Sequence, residues 1–229
     1  MKKALVVRGG WDGHQPTETT NVFIPFLRAN DYEVHIEESS EIYADQEFMS
    51  GIDLVQQTNT MNTIKKEEFQ GLQNAIIGGT GFAGWHGGIA DSYRNTSDYL
   101  QMVGGQFANH PGKHPDECIG EQSDNYVPHS INFTALGKSH PITQGMSDFE
   151  LTTEQYWVLH DSYNNVLATT TQKVRPWDPW DREITSPAIW TRNWGNGKIF
   201  VITCGHNLEI VLNPNVKQII ERGLMWASR

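Results

Sequence analysis

The sequence has little cysteine, no long apolar run and no signal for export. Among its 229 residues only Cys118 and Cys204 are cysteines, and no C-x-x-C pair occurs. This usage is typical of reduced thiols in a reducing compartment. No stretch of about 18 apolar residues is present to span a bilayer, and the start MKKALVVRGG has too short an apolar run for a signal peptide. These absences predict a mature cytoplasmic protein.

Positive charge is also scarce. Lysine and arginine number 17 against 27 acidic residues, which gives a net charge of −10. No cluster of basic residues occurs, so neither nucleic acid nor a membrane surface is expected as a partner. A chain of this length can bury a large core without disulfides, and we expect a single domain over residues 1–229. The sequence leaves a homo-oligomer open.

Tryptophan and histidine are abundant, with eight and nine copies. Trp11 and Trp85 lie in glycine-rich segments. A tryptophan there either covers the edge of the core or offers a flat apolar face on which a sugar can stack. His14, His86 and His206 lie beside glycines, which let the backbone approach a ligand closely.

The apolar pattern predicts an α/β fold. The predicted strands are 4–7, 32–36, 52–55, 81–85, 127–133, 166–168, 188–192 and 198–203, with helices around 22–27, at 65–77 and 92–103 and from 213 onward. The helix at 65–77 is expected to bury Phe69, Leu72, Ile76 and Ile77 on one face. The order β-α-β-β-α-β-α in the first half favours a mostly parallel sheet with helices on both faces. The segments 107–126 and 175–185 are predicted to be long loops.

Three of the histidines follow predicted strands. His14 ends the segment R-G-G-W-D-G-H after the first strand, His86 follows the strand at 81–85, and His206 ends C-G-H after the last strand. In open α/β sheets, ligands bind where the carboxyl ends of the strands emerge. We therefore expect these imidazoles to share one hollow, although each alone could equally be structural. Glu154 is the strongest carboxylate candidate in the second half.

The glycine-rich segment at 78–88 has two interpretations. It contains G-x-G-x-x-G at 79–84, which is typical of a dinucleotide-binding turn. Against this, the residues before it have helical period, those after it have too many glycines for a helix, and no Tyr-x-x-x-Lys occurs. The run G-W-H-G-G at 84–88 has instead the form of a nucleophile elbow with His86 at its centre. A histidine there suits a general base, a metal ligand or a hydrogen-bond donor.

Seven short motifs, in one order along nearly the whole chain, resemble the ThuA-like (trehalose utilisation) family. They are G-G-x-x-G-H at 9–14, G-F-x-G-x-H-G at 81–87, G-G-x-F-x-x-H at 104–110, H-P-I-x-x-G at 140–145, E-x-Y at 154–156, W-T-R-x-x-G-x-G-K at 190–198 and G-H at 205–206. The resemblance implies a flavodoxin-like, class I glutamine amidotransferase-like three-layer sandwich, with a mostly parallel central sheet and added antiparallel strands. It also implies a part in disaccharide catabolism, on trehalose and related sugars in oxidised (3-keto) form.

The leading hypothesis is an enzyme, a hydrolase, lyase or isomerase, that acts on a small disaccharide or keto-sugar derivative by histidine acid/base chemistry. The catalytic candidates are His14, His86, His206 and Glu154, and the substrate-binding candidates are Trp11, Asp12, Trp85, His110 and Tyr156. The alternative is a non-catalytic sugar-binding or regulatory module with a degenerate amidotransferase-like site.

The sequence also bears on cofactors and on nucleophiles. His14, His86 and His206 are compatible with Zn²⁺ or another divalent transition metal, although no local ligand spacing such as H-E-x-x-H occurs. Because His86 stands where amidotransferases have a cysteine, glutamine hydrolysis is not expected. Cys204 lacks an elbow and is a poor nucleophile candidate.

Overall fold

The fold of this computed structural model, which describes residues 1–229, is built on eleven strands. They are β1 (Lys2–Gly10), β2 (Tyr32–Glu37), β3 (Leu54–Thr60), β4 (Gly81–Trp85), β5 (Gly105–Asn109), β6 (Tyr126–Phe133), β7 (Phe149–Glu154), β8 (Trp157–His160), β9 (Asn165–Gln172), β10 (Ile184–Trp194) and β11 (Gly197–Ile202). Nine of them form one sheet in the order β2-β1-β3-β4-β11-β10-β9-β6-β7, and β5 pairs with β8 apart from it.

Helices connect and cover these strands. They are α1 (Pro16–Asn21), α2 (Ile24–Ala29), α3 (Gln46–Ser50), α4 (Lys66–Gly78), α5 (Gly87–Ala90), α6 (Ser97–Val103), α7 (Ala135–Ser139), α8 (Leu208–Val211) and α9 (Pro214–Ala227). Short 3-10 turns occur at Asp12–His14, Ser40–Ala44, Pro115–Glu117 and Gln122–Asn125. None of the helices combines the length and the apolar composition that a bilayer crossing demands.

The sheet has a parallel half and an antiparallel half. β2, β1, β3, β4 and β11 run parallel to one another. On the other side of β11, each neighbouring pair is antiparallel: β11 with β10, β10 with β9, β9 with β6, and β6 with β7. The hairpin between β10 and β11 turns at Gly195, between the strands predicted at 188–192 and 198–203. The predicted α/β fold, a parallel sheet with added antiparallel strands, is confirmed.

Two hydrophobic layers cover the two faces of the sheet. In β1, Ala4 joins the layer that includes α2 and α9, whereas Leu5 and Val7 join the layer that includes α4 and α6. This alternation follows from the two-residue period of a strand, which sends successive side chains to opposite faces. Because both faces are covered, the central strands are buried throughout, as all five residues of β4 are.

Several predicted elements differ from those observed. Helix α1 ends at Asn21 and α2 begins at Ile24, with Pro25 in the first turn of α2, where a residue without a backbone N–H is tolerated. The helix predicted at 92–103 begins only at Ser97. Ile77 is 45% exposed, so its predicted place on the buried face of α4 is wrong. The predicted loop at 107–126 contains the end of β5 and two 3-10 turns.

Gly71 in α4 offers a direct test of how this helix packs. A Cβ at this position would lie 1.8 Å from the backbone oxygen of Tyr43 in the neighbouring 3-10 turn. We expect Gly71→Ala to destabilise the protein by about 1–3 kcal/mol, as overpacking against rigid structure does. Urea unfolding measures this. The matched control is Gly78→Ala in the same helix, where a Cβ meets nothing within 4 Å. Equal stability of the two variants would contradict the predicted close packing.

Candidate functional site

Strand ends bring three of the predicted histidines together. His14 lies in the 3-10 turn after β1, His86 directly follows β4, and His206 lies four residues beyond the end of β11. These strands are parallel, so their carboxyl ends emerge at the same edge of the sheet. Glu154 reaches the same place as the last residue of β7. One atom from each of the four side chains, a ring nitrogen or a carboxylate oxygen, lies within 4.8 Å of the other three. We call these four residues the histidine–glutamate cluster.

The turn at His86 has the strained backbone that the elbow pattern predicts. His86 has φ 51° and ψ −142°, a region that non-glycine residues rarely occupy and that costs on the order of 1–3 kcal/mol. The two residues that follow His86 must be glycine. A Cβ at Gly87 would lie 2.7 Å from His14 Cε1, and one at Gly88 would lie 2.6 Å from Thr58 Cα. The glycines therefore let β3, β4 and the His14 turn approach closely enough to form the cluster.

The inner contacts of the cluster are short. His86 Nε2 lies 3.1 Å from Glu154 Oε2 and 3.3 Å from His206 Nδ1. His206 Nδ1 is also 3.1 Å from Glu154 Oε2. The His14 ring packs edge-on against both other imidazoles, with centroids 4.6 Å and 5.0 Å away. None of the four residues is more than 6% exposed.

The second ring nitrogen of each imidazole makes a hydrogen-bond contact with an oxygen outside the cluster. His86 Nδ1 lies 2.7 Å from the Thr203 backbone oxygen, and His14 Nδ1 lies 2.9 Å from Thr60 Oγ1. His206 Nε2 lies 2.8 Å from Gln122 Oε1. These outer contacts fix the orientation of all three rings, and leave one nitrogen of each ring available to the others.

Sequence reasoning did not identify Thr60 or Gln122. Thr60 is the last residue of β3, which lies between β1 and β4. Its place at the same strand-end edge was the signal that could have found it. Gln122 lies in the segment 107–126, predicted as a long loop, and only its side-chain contact to His206 reveals a role.

Burial sets the protonation of the cluster. Burial lowers the pKa of His14 to about 2, and the nearby His86 and His206 act in the same direction. Burial likewise lowers the pKa of His86, although Glu154 opposes the shift. For Glu154, burial alone would raise the pKa, but the facing imidazoles of His206 and His86 outweigh it and hold that pKa well below its usual range. The site therefore favours neutral His14 and His86 beside an ionised Glu154.

Three of the five predicted substrate-binding residues lie at the solvent side of the cluster. Trp11 is 39% exposed, and its ring meets His14 edge-on. Asp12 is exposed beside it. His110 is half-buried, with Nε2 3.6 Å from Glu154 Oε1. These three side chains are at least partly accessible to solvent.

The other two substrate-binding candidates are buried. Trp85 is 1% exposed and packs against Phe23 at a centroid distance of 5.1 Å. Its predicted role as a stacking face for a sugar is wrong, because β4 is a central strand covered on both faces. Tyr156 is 3% exposed and stacks on His86 at 4.2 Å. It therefore supports the His86 ring from inside rather than closing a pocket from outside.

The cysteines lie outside this chemistry. Cys204 is buried, and burial raises the pKa of its thiol to about 12. A thiol with that pKa is protonated near neutral pH and is a poor nucleophile. Cys118 is exposed in a separate loop.

The side chains of the cluster are buried and in close contact with one another. A polar cavity of about 400 Å³ lies nearby, lined by residues that include His129, Gln155 and Arg175. Gln155 directly follows Glu154, but no member of the histidine–glutamate cluster lines this cavity.

A mostly parallel α/β sheet whose strand ends gather buried imidazoles and a carboxylate is typical of proteins that bind a small molecule at that edge. The family whose model matches residues 3–227 is ThuA, described as trehalose utilisation. The chain belongs to the ThuA family.

Solved structures agree on the fold. A ThuA-like protein of Bacteroides uniformis has a TM-score of 0.72 and 15% sequence identity, with 99% of this chain and 91% of that chain covered. A ThuA-like protein of Parabacteroides merdae has the same score and identity, with 99% and 89% covered. A cytoplasmic protein of Salmonella typhimurium has a TM-score of 0.64 and 14% identity, with 99% and 100% covered. Among curated proteins, none matches the sequence.

Proposed function

We propose that this protein is an enzyme of carbohydrate metabolism that acts on a disaccharide or keto-sugar derivative by histidine-based acid/base chemistry. The observation that carries the proposal is the convergence of His14, His86, His206 and Glu154 at the carboxyl edge of the sheet. The description of the ThuA family as trehalose utilisation supports the substrate class.

The arrangement suits proton transfer beside a carbonyl group. A keto-sugar becomes reactive when one group removes a proton from the carbon next to the carbonyl and another donates to its oxygen. His110 is the half-buried imidazole at the solvent side, and its contact with Glu154 orients it toward the cluster. Trp11 offers an exposed ring for the sugar face, and Asp12 an exposed carboxylate for its hydroxyls. Binding would displace Gln122 from His206.

The proposal extends to the whole chain. It treats residues 1–229 as a single ThuA-like domain with the flavodoxin-like, class I glutamine amidotransferase-like arrangement. The parallel order β2-β1-β3-β4-β11 supports this, because flavodoxin-like sheets have the order 2-1-3-4-5.

The proposed partner is a small carbohydrate rather than nucleic acid or membrane, which the net charge of −10 supports. The proposed location is cytoplasmic, which the two unpaired cysteines support. A homo-oligomer is compatible with all of this.

The test is turnover of defined sugars by the purified, untagged protein. We expect 3-keto-trehalose or a related 3-keto-disaccharide to be consumed, with products identified by NMR spectroscopy, while unoxidised trehalose is left unchanged. The assay is run both as purified and with divalent transition ions supplied. Tight binding of the keto-sugar without turnover in either condition would overturn the enzyme assignment in favour of a binding module. If the protein neither binds nor transforms the keto-sugar, the carbohydrate assignment itself is overturned.

A further inference from the structure

When His86 and His206 are neutral, the inner atoms of the histidine–glutamate cluster face one another without a proton to join them. The outer partners of His86 and His206 are the Thr203 and Gln122 carbonyl oxygens, which can only accept a hydrogen bond. His86 Nδ1 and His206 Nε2 therefore carry the protons. In a neutral imidazole the other nitrogen then presents a lone pair. With both imidazoles neutral, the two inner nitrogens and the Glu154 carboxylate bring three acceptors into contact, which is unfavourable unless a proton or a metal cation lies between them.

The distances between these acceptors fit a metal ion. Zinc binds nitrogen and oxygen ligands at about 2.0–2.2 Å in a tetrahedron, which sets neighbouring ligand atoms roughly 3.3–3.5 Å apart. The three inner distances, 3.1, 3.1 and 3.3 Å, are close to such edges. His14 adds a fourth ligand. Thr60 holds its Nδ1 and leaves Nε2 as the free nitrogen, and the four ligand atoms all lie within 4.8 Å of one another.

The outer contacts also have the form found around bound metals. A histidine that binds a metal nearly always uses its second ring nitrogen on a carbonyl, carboxylate or water, which fixes the ring and its tautomer. His86 and His206 have such a contact, to the carbonyl oxygens of Thr203 and Gln122, and His14 has the Thr60 hydroxyl in that place. A purely structural histidine cluster would not need three separate outer oxygens together with inward lone pairs.

We propose that His14, His86, His206 and Glu154 bind one divalent transition metal ion. Imidazole and carboxylate ligands without thiolate suit Zn²⁺, Fe²⁺ or Ni²⁺ better than Ca²⁺ or Mg²⁺. The inference deepens the proposed function and rests on it only for the role of the ion, which would polarise the carbonyl oxygen of a keto-sugar. His110 and Trp11 stay outside the ligand set and remain available to the substrate.

The first measurement is metal content. Untagged protein is stripped with a chelator, reconstituted with Zn²⁺ or Co²⁺, dialysed and analysed for bound metal. We expect one ion per chain, and visible absorption by bound Co²⁺ of the strength that tetrahedral sites give. The Co²⁺ spectrum needs no variant, so the test does not depend on a mutant that folds. A stoichiometry far below one ion per chain with both metals would overturn the proposal.

The second measurement locates the ion by calorimetric titration of variants with Zn²⁺. Glu154→Gln and His206→Ala are expected to weaken binding by more than the roughly 10–100-fold that loss of an outer partner costs, and Thr60→Val and Gln122→Leu by about that amount. The matched control is His140→Ala, which removes a partly exposed histidine outside the cluster and should bind zinc as the unaltered protein does. Circular dichroism checks the fold of each variant. Folded cluster variants that keep full affinity, or an equal loss in His140→Ala, would overturn the site.

The experiments distinguish failure of the proposed metal site from failure of the proposed function. A protein that binds one ion at the cluster but transforms no sugar retains the metal site and loses the proposed function. A protein that is free of metal and transforms a keto-sugar at the same rate with and without added ions loses the metal site and retains the function.

Discussion

Replacing His86 by alanine is expected to lower kcat/KM for the proposed keto-disaccharide substrate by on the order of 10²–10⁴-fold, because it disrupts the reaction centre that the cluster is proposed to form. His86 is the centre of the cluster. Its Nε2 contacts both Glu154 and His206, and its ring stacks on Tyr156. Without the imidazole, the Glu154 carboxylate loses one of the two groups that hold its pKa low. Steady-state kinetics with NMR detection of product measures the effect.

The control and a second variant make this result informative. His140→Ala removes a histidine outside the cluster and should keep kcat/KM unchanged. His110→Ala removes the half-buried imidazole that contacts Glu154 from the solvent side. We expect it to lower kcat while bound metal stays at one ion per chain, because His110 lies outside the proposed ligand set. Full activity in a folded His86→Ala protein would contradict the assignment of the cluster as the reaction centre.

The histidines could be predicted from the sequence because their positions depend on topology alone. His14, His86 and His206 each follow a parallel strand, and parallel strands end at one edge whatever the details of packing. Glu154 was a candidate carboxylate from the sequence. Its approach from the antiparallel half depends on how β6 and β7 pair and extend the sheet beyond β9, which strand patterns do not specify.

The side chains that orient the imidazoles could not be predicted in the same way. Gln122 meets His206 across 84 positions of sequence, and Thr60 meets His14 across 46. Such contacts depend on rotamers and on the path of a loop, neither of which has a sequence period. The error at Trp85 has a different cause. The strand at 81–85 was predicted, but its place at the centre of the sheet was not, and a tryptophan at the end of a strand covered on both faces belongs to the core.

The largest effect on stability is expected at Trp190, on the strand that joins the two halves of the sheet. Trp190 in β10 is fully buried, and its Nε1 donates to the Val103 backbone oxygen over 2.9 Å. Its ring also packs against Gly105, where a Cβ would lie 2.7 Å from the indole. Trp190→Ala opens a large cavity and leaves the Val103 carbonyl without its partner. We expect a loss of about 3–5 kcal/mol in the free energy of unfolding.

Two further substitutions separate the contributions at Trp190. Trp190→Phe keeps most of the ring but removes the donor, and should cost about 1–3 kcal/mol through the unsatisfied Val103 oxygen. Trp177→Ala is the matched control, because Trp177 is 43% exposed and contacts mainly Arg175 and His114. Its loss should cost under about 1 kcal/mol, since surface substitutions seldom cost more. Urea unfolding followed by circular dichroism gives all three values. If Trp190→Ala were no less stable than Trp177→Ala, the prediction that β10 lies in the buried core of the sheet would be wrong. The Trp190 ring would then also not be what holds Gly105, the first residue of the strand β5 that leads to His110.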